Sequence, residues 1–316
     1  MVKGWIWVAI VATLAVHPSA QARRTNADAQ GLVGSWMLVG AARVDGPAPV
    51  PSPQPRGLII FDAAGHVVEI ITRAGRRPFA VANRPTPEEA LQAFNTFSGF
   101  WGSYRTDEKA KLITYHAEGA VNPSLTGQDL SRSYELAGDQ LVITSRPGES
   151  NVQGTMQWTW RRVPPIENLD ATYRKVLGFW QWVGERVVAT ATDETVRAGN
   201  RDSSIIVYAP SGLIGVHFLP ARRKPLAGSF ATGEEAQAAM AGYVGYTAVL
   251  AVHPDRVFHH QLFTINPEGG TSLERSYELV GNEIHLNFLP NTVDGREQQM
   301  RVTLKRLSGE AEMLGR

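Results

Sequence analysis

The chain contains no cysteine. That excludes a disulfide framework, thiolate chemistry and a lipidated cysteine anchor. It also has almost no charge imbalance. Lys and Arg number 31 against 30 Asp and Glu, and removing Lys3 with the leading segment would bring the balance to zero. A neutral chain has no electrostatic footprint for nucleic acid. Long apolar runs are missing too. The one candidate, Trp5 to Val16, is twelve residues, too short to span a bilayer. With Lys3 before it and the small-residue site Ala20-Gln21-Ala22 after it, this stretch is expected to be a signal peptide over 1–22, making the protein periplasmic or secreted. Neither Gly-x-Ser-x-Gly nor a phosphate-cradling glycine loop occurs.

What is present is a repeat. Arg132-Ser133-Tyr134-Glu135-Leu136 returns as Arg275-Ser276-Tyr277-Glu278-Leu279, 143 positions later. Gly34-Ser35-Trp36 returns as Gly178-Phe179-Trp180, and Thr86-Pro87-Glu88-Glu89-Ala90 as Thr232-Gly233-Glu234-Glu235-Ala236. The offset drifts by only a few residues, so insertions are confined to loops. Each unit has the size of a domain with its own core. The first is expected over 31–163 and the second over 176–307. Between them Pro164-Pro165-Ile166-Glu167-Asn168 opens a stiff connector, 164–175, short enough to hold the units against each other. The segment from Ser308 to Arg316 reads as a frayed tail.

Within a unit the apolar period is mostly two, the period of strands. Leu58 to Ile71 turns at Asp62-Ala63-Ala64-Gly65, and Tyr134 to Ile143 turns at Ala137-Gly138-Asp139. Both read as hairpins, and both recur in the second unit. One helix interrupts each set. Thr86 fits an N-cap, Pro87 the first helical position and Glu89 a capping box; Thr232 and Glu235 repeat the arrangement. About eight strands and one short helix per unit is the inventory of a small closed antiparallel barrel. The fold class is therefore all-β, two tandem antiparallel β-barrels.

Gly34-x-Trp36 and Gly178-x-Trp180 open the units, and Arg161-Arg162 and Lys305-Arg306 close them. In this the chain resembles the calycin superfamily, where a basic residue of the last strand lies over the opening indole. More closely, each unit resembles the bacterial and fungal lipocalin-like domain family. Its pattern here is Gly34-x-Trp36, Gly65, Tyr104, His116, Pro123 and Arg132, then Gly178-x-Trp180, Gly212, Tyr246, His260, Pro267 and Arg275. The resemblance implies a barrel with a small-molecule cavity. The aromatic that usually follows the Pro is absent in both units, so no particular ligand is implied.

His116 and His260 are the leading candidates for chemistry. Phe258, His260 and Leu262 share one face of a strand, as do Leu112, Thr114 and His116. A His on an apolar face is expected to point into the barrel, as a general acid/base, a ligand donor or a structural group bonded to a buried partner. Glu118 shares the face of His116, while Leu262 stands at its place in the second unit. That makes the first unit the candidate if only one is catalytic. By period two Arg132 shares a face with Tyr134, and Arg275 with Tyr277; each Arg is expected first at the barrel rim, paired with a Glu, and otherwise inside as the anchor of a carboxylate or enolate. Tyr104 and Tyr246 sit beyond the helix, at the cavity mouth or in the core. His259 and His260 are adjacent, so they point to opposite sides of a strand and no metal site is expected. The basic triplets Arg76-Arg77-Pro78 and Arg222-Arg223-Lys224 read as solvated loops, with anion contact as the lesser reading. No cofactor is implied. The expected partner is a small hydrophobic or amphipathic ligand. The leading function is binding it in one or both barrels; the others are cofactor-free acid/base catalysis (isomerase, cyclase or lyase) and a structural role with filled barrels.

Overall fold

The computed structural model describes residues 27–46, 54–145, 154–201, 203–267 and 270–316. The expected signal peptide lies outside them. Strands β1 (Gly34–Arg43), β2 (Arg56–Phe61), β3 (His66–Thr72), β4 (Phe97–Asp107), β5 (Leu112–Ala120), β6 (Asp129–Ala137), β7 (Gln140–Ser145) and β8 (Met156–Val163) form a closed antiparallel barrel in sequence order. In the second unit, β9 (Gly178–Ala189), β11 (Ile205–Tyr208), β12 (Leu213–Phe218), β13 (Val244–Val252), β14 (Arg256–Thr264), β15 (Ser272–Val280), β16 (Glu283–Phe288) and β18 (Arg296–Ser308) do the same, closed by β9 on β18. Two short strands, β10 (Thr195–Gly199) and β17 (Asn291–Val293), extend the second sheet at the outer parts of β9 and β18.

The floor of each barrel is built the same way. A short helix, α1 (Ala27–Leu32) or α3 (Ala171–Val176), precedes the opening glycine. Its last turn offers a carbonyl to the indole: Trp36 donates to Leu32 at 2.8 Å and Trp180 to Val176 at 2.8 Å. Arg162 lies 4.0 Å over Trp36, and Arg306 lies 4.2 Å over Trp180. Each guanidinium also donates to two carbonyls of the entering chain, Gly31 and Val33 or Lys175 and Leu177. A cation over an indole contributes about 1 kcal/mol, and the carbonyl bonds fix its position.

The expected capping boxes form on helices α2 (Pro87–Asn95) and α4 (Gly233–Met240). These two helices pack on each other between the barrels. Strands β2, β3, β11 and β12 are buried on both faces, so they read as continuous apolar runs. One face fills its own barrel. The other, including Leu58, Ile60, Val68, Ile70, Ile205 and Val207, belongs to a core shared by the two units. Burying each such aliphatic contributes about 1.5–3 kcal/mol, so the units are joined by a hydrophobic core.

Two expectations change here. Arg76 and Arg223 are not solvated. Arg76 donates to the carbonyls of Thr264 and Ile265, and Arg223 to those of Ala120 and Val121, so each barrel clamps the other at matching places. Burial lowers the Arg76 pKa to about 10, still charged at neutral pH. Nor is the C-terminal segment frayed. It forms helix α5 (Glu310–Met313), buries Met313 and accepts from Ala63 and Gln30 of the first unit. A tail with an apolar anchor and cross-chain bonds is held in place.

Candidate functional site

Strand register makes the two barrel interiors comparable position by position. Phe61 lies opposite Gly34 and Val67, and Tyr208 opposite Gly178 and Ile214. Glu69 faces Phe100 across β3 and β4, as Val216 faces Tyr246 across β12 and β13. Tyr115 lies opposite Leu130, and His259 opposite Leu273. Arg132 and Arg275 each follow two residues later on the same face. The first interior thus presents Phe61, Glu69, Phe100, Tyr115 and Arg132. The second presents Tyr208, Val216, Tyr246, His259 and Arg275.

In the first barrel the polar groups satisfy one another. Arg132 Nη1 lies 2.9 and 3.1 Å from the two Glu69 oxygens, with both side chains about 5% exposed. The guanidinium also lies 5.5 Å from the Phe100 ring and 5.4 Å from that of Tyr115. Beside this pair is a cavity of about 30 Å³, bordered by Glu69, Phe100, Leu125, Arg132 and Trp158. That is room for about one water. The first interior is filled.

In the second barrel the corresponding cation has no carboxylate. Val216 replaces Glu69, and among the described residues no acid pairs with Arg275. It donates to the Glu274 backbone carbonyl at 2.7 Å and lies 3.9 Å over the Phe288 ring. The Glu274 carboxylate is taken by Arg256 outside. Arg275 is only 9% exposed. Next to it Tyr246 Oη is 2.7 Å from His259 Nδ1, and Tyr208 Oη is 3.0 Å from His259 Nε2.

His259 is fully buried, and burial first, then the positive charge of Arg275, lowers its pKa to about 3. It is neutral at pH 7 and carries one ring proton. Burial pushes both tyrosine hydroxyls up, so they keep theirs. Two hydroxyls and one imidazole N–H make three protons, but the two contacts use only two. The tyrosine that accepts from the ring retains an O–H with no acceptor among the described residues. Among the described residues, the buried cation therefore lacks a carboxylate and one buried hydroxyl lacks an acceptor.

The sequence-selected residues divide around this arrangement. Arg132, Tyr134 and Arg275 point inward, so the arginines do not sit at the rim where they were first expected, and Tyr277 lines the edge of the second core, its hydroxyl on the His253 carbonyl. His116 and His260 do not. Both are exposed on the outside of their barrels, His116 on Asp129 and His260 on Ser272. Their neighbours Tyr115 and His259 take the interior. The face of β14 carrying Phe258, His260 and Leu262 is apolar in sequence, yet Val257 and His259 are the buried set. Glu118 does share the face of His116, and that face is external. Burial raises its carboxyl pKa against the opposing influence of His66 and His116. Tyr104 and Tyr246 are not equivalents: Phe100 matches Tyr246, while Tyr104 packs on Phe61 and donates to the Asp62 carbonyl. Each unit has a bulge at the matching place, but its extra residue is on the next strand, Glu118 of β5 and Leu262 of β14, so the count along β4 and β13 is not displaced. Tyr208, His259 and Glu69 were missed. Their signal was present as polar residues within apolar strands at matched positions where the copies differ.

Comparison with known proteins gives one family. The lipocalin-like domain family matches residues 33–163. No curated protein matches the chain significantly. Among solved structures, a protein of unknown function of the DUF3598 family from Nostoc punctiforme is 8% identical with a TM-score of 0.21, over 88% of this chain and 97% of that one. A porin-like protein from Bacteroides uniformis is 8% identical with a TM-score of 0.20, over 86% of this chain and 96% of that one.

Proposed function

We propose that this chain, a tandem lipocalin-like protein, binds a small amphipathic acid in its second barrel, while the first barrel serves as a filled support. One observation carries the reading. Where the first barrel neutralises its inner arginine with Glu69, the second has Val216, and among the described residues Arg275 has no carboxylate and one hydroxyl proton of the Tyr208–His259–Tyr246 group has no acceptor. A carboxylate, enolate or phenolate supplies that oxygen, and the apolar residues around it, Leu273, Phe288 and Met300, suit a hydrophobic body. The leader over residues 1–22 supports export of this binding protein, which N-terminal sequencing of the cell-exported form checks.

The test is calorimetric titration with aromatic and fatty carboxylic acids and their methyl esters. Acids are expected to bind more tightly than esters, since a charge-assisted bond contributes about 1.5–3 kcal/mol. Arg275→Met is expected to abolish that preference. Val216→Glu is expected to recreate the internal pair of the first barrel and block acids while preserving the fold. Equal binding of acid and ester, or an unchanged preference in both variants, sinks the proposal.

A second reading rests on the same relay. A neutral imidazole between two tyrosines can pass a proton in either direction, the requirement for cofactor-free isomerisation of a carbonyl compound. Exchange of a bound ligand's α-proton for deuterium, lost in His259→Asn and Tyr246→Phe, would distinguish catalysis from carriage.

A further inference from the structure

Outside both barrels, three arginines come together at the junction of the units. A groove of about 500 Å³ runs along the junction of the units, bordered by Pro123 and Thr126 of the first and by Asn200, Arg201, Ser203, Arg222 and Arg223 of the second. The volume suits a small organic molecule, and junctions between domains are common places for one. Three arginines border it, and among the described residues no carboxylate does.

The charges there are only partly answered. Arg201 shares the buried carboxylate of Glu185 with Arg197, so those three groups retain one positive charge. Arg223 bonds only to the carbonyls of Ala120, Val121 and Ala239, and its buried Nε has no acceptor among the described residues. Arg222 has neither an ion pair nor a hydrogen bond among them.

Arg222 also occupies an unfavourable backbone conformation, with φ of +58°. Its counterpart in the first unit, one residue before Arg76, is Gly75, with φ of +72°. Glycine adopts this region freely, and a residue with a Cβ does so at a cost. The second unit keeps an arginine where folding favours glycine, as expected when a side chain is retained for what it binds.

We infer that this inter-barrel groove binds a small organic anion of the phosphate or carboxylate class, with Arg222 as the contact that folding does not require. The inference is independent of the acid proposed for the second barrel. The experiment is calorimetric titration of the full chain with phenyl phosphate and with citrate, for wild type, Arg222→Gly and Arg275→Met. Saturable, salt-sensitive binding is expected, weakened about tenfold or more in Arg222→Gly, the effect of one lost charge-assisted bond. The melting temperature of that variant without ligand is expected to be unchanged or higher, and Arg275→Met is expected to bind as wild type. No saturable binding of either probe, or equal binding by Arg222→Gly, overturns the inference. Loss of binding in Arg275→Met alone assigns the anion to the second barrel and overturns it as well.

Discussion

At the scale of single residues, the two copies perform opposite experiments on one arginine. Arg132 is buried with its counter-charge, and Arg275 is buried without one among the described residues. A buried ion pair adds little net stability, because desolvating both charges offsets their attraction, but breaking it is expensive. Glu69→Gln is therefore expected to destabilise the protein by about 3–5 kcal/mol, read by urea denaturation. Replacing both partners, as Glu69→Leu with Arg132→Met, is expected to cost far less or to stabilise. If the single and double variants lose equal stability, Glu69 acts through packing rather than charge. Which residues share a face with Arg132 and Arg275 was legible from period two, whereas the burial of the two arginines was not, a rim position being the favoured reading. The neighbouring histidines were not, because His259 and His260 are adjacent and each has apolar residues two positions away.

At the scale of elements, the strands at the junction explain why the apolar pattern alone was ambiguous. In β3, Val67, Glu69 and Ile71 face the first interior, while Val68 and Ile70 face the second barrel. Both faces are buried, so alternation is lost. Close approach then demands small residues. A Cβ on Gly99 would lie 2.4 Å from the Glu69 carbonyl oxygen and 2.8 Å from His217 Cε1, and one on Gly215 would lie 2.9 Å from Val68. Gly99→Ala is expected to destabilise by about 1–3 kcal/mol, the range for overpacking. Gly127→Ala, with open space around it and strained only by its φ of +80°, provides the comparison. A smaller loss for Gly99→Ala than for Gly127→Ala in chemical denaturation would mean that the sheets part easily. The starts of α2 and α4, by contrast, were legible: Thr86 with Glu89 and Thr232 with Glu235 are local signals needing no tertiary partner.

At the scale of the whole molecule, His217 records the union of the barrels. It projects from the second barrel and is fully buried against the first. Its Nε2–H donates to the Glu69 carbonyl, so its Nδ1 accepts from the Tyr243 hydroxyl. Burial lowers its pKa to about 4, and that of His259 to about 3, from 6.5. Both folded values are depressed. Above pH 6.5 neither state binds the protons and the full stability is present. Below it the unfolded chain takes up protons that the folded chain refuses, so stability falls with pH until the folded values are reached. The expected slope is about 1.4 kcal/mol per pH unit for each histidine between roughly pH 6 and 4. Denaturation at pH 7, 6 and 5 measures it, and His217→Gln is expected to remove about half. A flat profile over that window would show that neither histidine is held neutral by the fold.

The sequence by itself determined the duplication, the all-β barrel inventory and the caps of α2 and α4. Each depends on contacts within one element or on a pattern repeated twice, so each is carried by local spacing. Only the tertiary structure decided which histidine enters the second barrel, that both inner arginines are buried, that Glu69 neutralises one while Val216 stands at the matching place beside the other, and that Arg76 and Arg223 bind across the junction. Those outcomes depend on strand register, bulges and the packing of one barrel on the other. A shift of one residue turns every side chain to the opposite face, and nothing in the local sequence fixes that shift.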